Sequence, residues 1–243
     1  MSRKEKVTIL VPTLNEIEAV QVVMPQIQNE WADEIIVVDG GSTDGTVEYM
    51  TKRGYKIHSQ SGRGYGTGMK QGLMLAQGEI IIEYLPDGNS IASAIPALIA
   101  KVEEGYDLVI ASRYKDSAKS DDDDVVTGFG NWMFTTMVNI LFNAKYTDVL
   151  VGFRAYRKSS ALKLELDTFG LSWPCQTSDR FAAAGMRIAE VAVDEPKRIG
   201  GVRKMRPLKT GWEVLMLIFR DFAWSLKNRS KFKTSALPSE QKH

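Results

Sequence analysis

The chain has 243 residues, 44% of them hydrophobic, and a formal net charge of +1, which is enough apolar mass for one large α/β domain and too little global charge to mark a nucleic-acid binder. A single cysteine, Cys175, excludes an internal disulfide framework or a cysteine-based zinc cluster, and two histidines, His58 and His243, leave little room for a His-rich metal site or a Ser-His-Asp triad. No apolar run reaches the roughly 20 residues of a membrane span, and the opening MSRKEK leads into a strand and not a signal peptide, so the sequence reads as cytoplasmic.

VTILVPTLNE (7–16) predicts a buried strand ending in a Pro-containing loop, and EIEAVQVVMPQIQN has helical apolar spacing. EIIVVDGGSTDGT (34–46) predicts a second strand and a loop of Gly, Ser, Thr and Asp, with a helix from Thr46. GRGYGTGMKQGLMLAQG (62–78) is a glycine loop feeding a helix, GEIIIEYLP the next strand, 91–105 a helix and YDLVIASRY (106–114) a strand. Uniformly apolar strands separated by helices predict a mostly parallel central sheet with helices on both faces. Ligands bind such sheets at the carboxyl ends of the strands, where the loops 12–16, 39–46, 85–90 and 112–114 all fall. KDSAKSDDDD (115–124) reads as a mobile surface loop, 130–143 as a helix, 147–164 as a turn, short strand and helix, and 178–196 as a helix then a strand. Between Lys197 and Lys233 eleven basic residues face only Glu213 and Asp221, an asymmetry that points to an anionic partner. Within that segment 211–232 reads as an apolar helix with basic flanks, and the last ten residues read as disordered.

Several strand ends carry chemistry. EYLPDGNS (83–90) places Asp87 and Asn89 at a sheet edge, either as an ordinary turn or as a metal site lacking half of a carboxylate pair. Asp39 could accept from a base N–H or a ribose hydroxyl, or close an Asx-turn, while Asp44 suits an N-cap. SGRGYGTG (61–68) lets backbone approach a ligand beside Arg63 and a helix N-terminus, which suits a diphosphate, although it lacks the GK[ST] of a Walker loop. Arg113 in ASRY ends a strand near Asp87, as a site cation or a structural salt bridge. Arg154 in GFRAYRK, with Arg198 and Lys204 in EPKRIGGVRK, adds further cations.

Taken in order, VPTLNE, VVDGGSTDGT, GRGYGTGMKQGLMLAQGEIII, the PDGN turn, ASRY and TDVLVGFRAYRK resemble the GT-A family 2 glycosyltransferases, in particular the dolichyl- or polyprenyl-phosphate sugar synthase branch, over residues 7–205. The resemblance implies a GT-A catalytic domain over 1–209; beyond it the residues themselves read as an amphipathic basic helical tail over 210–233 and a disordered C-terminus over 234–243. It implies inverting transfer of a sugar from a nucleotide-diphosphate donor to a polyprenyl-phosphate or a glycan or lipopolysaccharide-type acceptor. Family members usually end the GEIIIEYLP strand in Asp-x-Asp; here Leu85 replaces the first acid, Asp87 matches the acid that holds Mg²⁺ or Mn²⁺, and Asn89 matches a second ligand. By the same matching Pro12, Thr13, Asn15, Glu16 and Asp39 hold the nucleoside, Arg63 approaches the donor and Arg113 the donor or its diphosphate. Arg154, Arg198 and Lys204 match residues that receive phosphates. Asp179 in CQTSDR resembles the base of hydroxyl-transferring relatives, or acts as a helix first-turn acid; a phosphate acceptor needs no such base. The tail would lie on an anionic membrane surface at the inner face, pack on the catalytic domain or form an oligomer contact. Two rivals stand beside this reading: a nucleotide-sugar-binding protein whose catalysis has decayed, motivated by Leu85, and a nucleotidyltransferase, which would carry a Gly- and Lys-rich loop where PTLNE stands.

Overall fold

Val7, Ile9, Leu10 and Val11 are almost wholly removed from solvent because their strand, β1 (Val7–Thr13), is paired on both sides and covered on both faces. The computed structural model describes residues 4–202 and 204–233; the last ten residues, read from sequence as disordered, lie outside them. Seven strands, β1, β2 (Glu34–Asp39), β3 (Lys56–Ser59), β4 (Ile80–Glu83), β5 (Leu108–Ser112), β6 (Arg154–Arg157) and β7 (Ile188–Ala192), form one sheet in the order β3-β2-β1-β4-β6-β5-β7. All neighbours run parallel except β6, which is antiparallel to both β4 and β5. The helices are α1 (Ile17–Val23), α2 (Thr46–Lys52), α3 (Tyr65–Leu75), α4 (Ile95–Glu103), α5 (Val125–Phe142), α6 (Lys158–Leu162), α7 (Trp173–Ala183) and α8 (Pro207–Lys233).

The chain-order reading holds for the first half, with β3 added as a short edge strand. Two expectations change. Residues 115–124 form a bonded wall: Ser120 bridges to Glu195, and the Lys119 N–H donates to Asp194 Oδ1 at 2.9 Å. That wall ends in Asp124, whose side chain accepts the Thr127 N–H at 2.8 Å in a capping box. The helix therefore starts at Val125, five residues before the sequence reading placed it.

The basic tail is continuous with the domain. α8 buries Val214, Leu217, Ile218 and Asp221. Asp221 Oδ1 accepts from Arg180 Nη2 at 2.9 Å, and Phe222 meets Phe142 edge-on at 6.0 Å. Its opposite side, Leu208, Trp212, Met216, Phe219 and Leu226, is exposed, a stripe at helical spacing. α5 is unusual too. It is 18 residues long with no charged side chain and only 28% of it is buried, so by length and composition it is apolar enough to cross a membrane, which the sequence reading had not found.

Candidate active site

The carboxyl ends of β1 and β2 build the first wall. Asp39 closes its own turn: Oδ2 accepts the Gly41 and Ser42 N–H groups at 2.8 and 3.0 Å, and Oδ1 accepts the Ser42 and Thr13 hydroxyls at 2.5 and 3.2 Å. Asn15 takes a left-handed φ of 53°, a conformation asparagine tolerates. Its Oδ1 accepts the Thr43 N–H at 2.8 Å, while its own N–H donates to Ser42 Oγ at 2.9 Å. Asp44 is not the N-cap of α2, a place held by Gly45; it stands one residue earlier, where its Oδ1 accepts the Thr46 N–H at 3.0 Å and its Oδ2 the Ile17 N–H at 3.0 Å. Asp39, Asp44 and Asn15 thus tie the two loops into one ledge.

The PDGN turn after β4 forms the floor. Asp87 is buried; its Oδ1 accepts the Asn89 N–H at 3.1 Å and its Oδ2 accepts Arg198 Nη1 at 2.9 Å. Burial pushes the Asp87 carboxyl above its ordinary range, and Arg198 is the main influence pulling it back. Arg198 Nη2 reaches both oxygens of Glu16, and Lys204 Nζ meets the same carboxylate. Asn89 Nδ2 donates to the Pro196 carbonyl at 2.7 Å. Two acids from separate strand ends and two cations from one late loop therefore converge.

Three expected residues fall elsewhere in role. Arg113 reaches the cleft, but its guanidinium is gripped by acids, with Nε to Asp148 Oδ2 at 2.6 Å, Nη1 to Glu195 Oε2 at 3.2 Å and Nη1 to Asp123 Oδ2 at 3.5 Å. Burial opposes its charge, and these carboxylates more than offset that. The salt-bridge alternative is what is observed. Arg154, expected to receive phosphate, is wholly buried, its Nη1 donating to the Pro174 carbonyl at 2.7 Å and to Ser178 Oγ at 3.2 Å. It sits beside Glu83, whose carboxyl burial pushes up and Arg154 pulls down. A side chain locked among interior carbonyls does not face a ligand. Asp179, expected as a base, is also wholly buried; among the described residues its carboxylate accepts from the Cys175 thiol, at 3.7 Å to Oδ2. Burial, then the nearby Asp221, raise its carboxyl well above the usual range, and its full burial keeps it out of reach of an acceptor hydroxyl in the cleft.

Pro12, Thr13, Glu16, Arg63, Asp87, Asn89, Arg113, Arg198 and Lys204 line one cleft of about 960 Å³. Asn15 and Asp39 support it from behind. Two glycines of the glycine loop are also needed for packing. A Cβ on Gly64 or Gly66 would lie 2.2 Å from the Phe169 or Thr168 carbonyl, and the Gly66 N–H donates to Phe169 O at 2.9 Å. At these two positions the close approach is by the chain itself. Sequence reasoning missed Asp148, Glu195 and Asp122, and the whole apolar half of the cleft. That half comes from Phe129, Met133 and Phe134 of α5, Leu208, Trp212 and Leu215 of α8, and Leu150 and Leu171 between them.

A ledge at the ends of β1 and β2, an acid in a turn after β4 and an antiparallel β6 together define a GT-A fold. The glycosyl transferase family 2 model matches residues 8–164, and the chain belongs to that family. Similar curated proteins include the glycosyltransferase AglJ of Haloferax volcanii, 26% identical over 90% of this chain and 73% of the relative. Another is the undecaprenyl-phosphate mannosyltransferase of Micrococcus luteus, 27% identical over 82% of this chain and 87% of that protein. Among solved structures, glucosyl-3-phosphoglycerate synthase of Mycobacterium tuberculosis, in complex with Mn²⁺, uridine diphosphate and phosphoglyceric acid, superposes with a TM-score of 0.72 at 21% identity, over 90% of this chain and 79% of that one. The protein is a glycosyltransferase.

Proposed function

We propose that this enzyme moves a sugar from a nucleoside-diphosphate donor to a polyprenyl-type lipid phosphate, inverting the anomeric carbon. The observation that carries the acceptor is the two-part cleft: acids and cations gather at the strand ends, and an apolar trough leads from them between α5 and α8. A lipid phosphate is an anion attached to a long apolar chain, and it matches both halves. The similarity to the undecaprenyl-phosphate mannosyltransferase of Micrococcus luteus supports the same direction.

Mg²⁺ or Mn²⁺ fits the residues present. Asp87 offers carboxylate oxygens and Asn89, its Nδ2 given to Pro196, keeps its carbonyl oxygen, a hard oxygen set suited to these ions. Among the described residues no three acids, histidines or cysteines cluster to hold a metal unaided, so donor oxygens and water would have to complete the shell of an ion held by Asp87 and Asn89. Such an ion supplies positive charge against the departing diphosphate. The chain's own contribution is positional. The ledge around Thr13 and Asn15 takes the nucleoside, Arg63 stands at the rim, and Arg198 and Lys204 offer cations to phosphate oxygens. The acceptor phosphate oxygen is already an anion and attacks without a base, consistent with an Asp179 kept away from the cleft.

Membrane association follows from the same half of the molecule. The exposed stripe of α8 is bordered by Lys209, Arg220 and Lys227, a pattern suited to an anionic bilayer surface. The test is turnover with polyprenyl phosphate in vesicles against the same lipid as a free alcohol and against a soluble sugar acceptor. Nucleoside diphosphate release confined to the phosphate is expected. Equal or faster transfer to the hydroxyl acceptors would reject the reading.

A further inference from the structure

One guanidinium spans both acids of the site. Arg198 Nη1 lies 2.9 Å from Asp87 Oδ2 while Nη2 bonds Glu16, and Lys204 adds a second cation to Glu16. The segment carrying Arg198 is fastened to the very turn that presents Asp87. The Ile199 N–H donates to the Asp87 carbonyl at 2.8 Å and Asn89 holds Pro196. The contact is close enough that a Cβ on Gly88, whose φ is +95°, would fall 2.7 Å from Ile199 Cγ1. Two buried carboxylates thus face two cations, and within this cluster of four side chains the charges balance.

That balance has a consequence for what can enter. A divalent cation alone must displace Arg198 from Asp87 or crowd beside it, leaving an excess of positive charge in a partly dry site. A sugar diphosphate alone brings two negative charges against an already neutral cluster. The two together cancel, and they leave Arg198 and Lys204 free to move from carboxylate to phosphate oxygens. Removing one partner from a buried ion pair is strongly unfavourable unless another charge takes its place. Building on the donor reading above, we propose that Arg198 is an exchangeable counter-cation, holding Asp87 and Glu16 in the donor-free protein and yielding them only when cation and diphosphate arrive together. Binding of the two is then positively coupled and reciprocal.

Mn²⁺ binding to the full chain, read from the loss of the free-ion EPR signal, tests this without turnover. It is measured alone and then with uridine or guanosine diphosphate, after correction for the ion held by nucleotide in solution. The wild type is expected to bind Mn²⁺ weakly alone and about 5- to 150-fold more tightly with the accepted diphosphate. Arg198→Gln should bind Mn²⁺ alone more tightly than the wild type, and its coupling should shrink. Arg198→Lys, which keeps the charge, should retain most of the coupling. Glu16→Gln, which leaves both cations to Asp87 alone, should weaken Mn²⁺ binding alone below the wild type, the opposite of Arg198→Gln, and serves if that variant does not fold. Wild-type Mn²⁺ affinity and coupling in Arg198→Gln would overturn the counter-cation role while leaving the donor reading intact. Failure of every protein to bind either diphosphate would overturn both.

Discussion

At the residue scale the site rests on few side chains, each with a distinct part. Asp87 is the one acid presented by the turn after β4, so Asp87→Ala should abolish cation-dependent transfer, whereas Asn89→Ala should raise the cation concentration needed. A steady-state assay over a Mn²⁺ series checks this; wild-type rate and cation dependence in Asp87→Ala would remove Asp87 from the site. Asp179 makes the opposite case. Its carboxyl is buried and held well above the ordinary range, so the native state keeps a proton that the unfolded chain releases. The stability it confers is complete below the unfolded value and is lost as pH rises toward the folded one. Asp179→Asn mimics the protonated acid and should not show that loss. The stability of the wild type relative to Asp179→Asn should therefore fall with rising pH from about 4 upward, by at most about 1.4 kcal/mol per unit. Urea unfolding of both proteins across pH 5 to 8 measures it, and a constant difference would mean that the acid is ionised in the fold.

What was legible at this scale is local chemistry. PDGN, VPTLNE and DGGSTDGT show their turn-forming and polar character in a few consecutive letters, and the structure gathers most of them on one edge. Burial is not written locally. Arg154 and Arg198 look alike as cations in basic stretches, yet one is wholly inside and the other lies in the cleft. Arg113 could not be assigned because its partners, Asp148 and Glu195, are 35 and 82 residues away.

At the element scale the sequence showed the alternation of strands and helices but not the reversal of β6, which depends on which neighbours a four-residue strand finds in space. The start of α5 was missed by five residues, although Asp124 and Thr127 stand at capping-box spacing. What α5 and α8 do with their outer surfaces was not, because apolar periodicity marks a face without saying what covers it. Their exposed residues give a direct test. Trp212→Glu with Met216→Glu lies outside the buried stripe of Val214, Leu217 and Ile218, so folding should be retained. Losing two apolar anchors and adding two negative charges should weaken binding to anionic vesicles at least tenfold, with less effect on a soluble donor's affinity. Vesicle co-sedimentation, with thermal unfolding as the control, decides. Unchanged sedimentation would detach α8 from membrane binding.

At the scale of the whole molecule a parallel sheet supplies a nucleotide-binding edge, and the late elements convert that edge into a cleft with a second, apolar end. α5 and α8 both enter after the first sheet half is complete, and with Leu150 and Leu171 they supply the trough and the surface beside it. The central claim is that a lipid phosphate in this cleft attacks the anomeric carbon from the side opposite the departing nucleoside diphosphate. It is tested by NMR of the product formed from a nucleoside-diphosphate sugar and polyprenyl phosphate, reading the configuration at that carbon. A glycosyl phosphate inverted relative to the donor is the predicted product. A glycosyl phosphate of retained configuration, or a sugar joined to a hydroxyl with no glycosyl phosphate, would contradict the account.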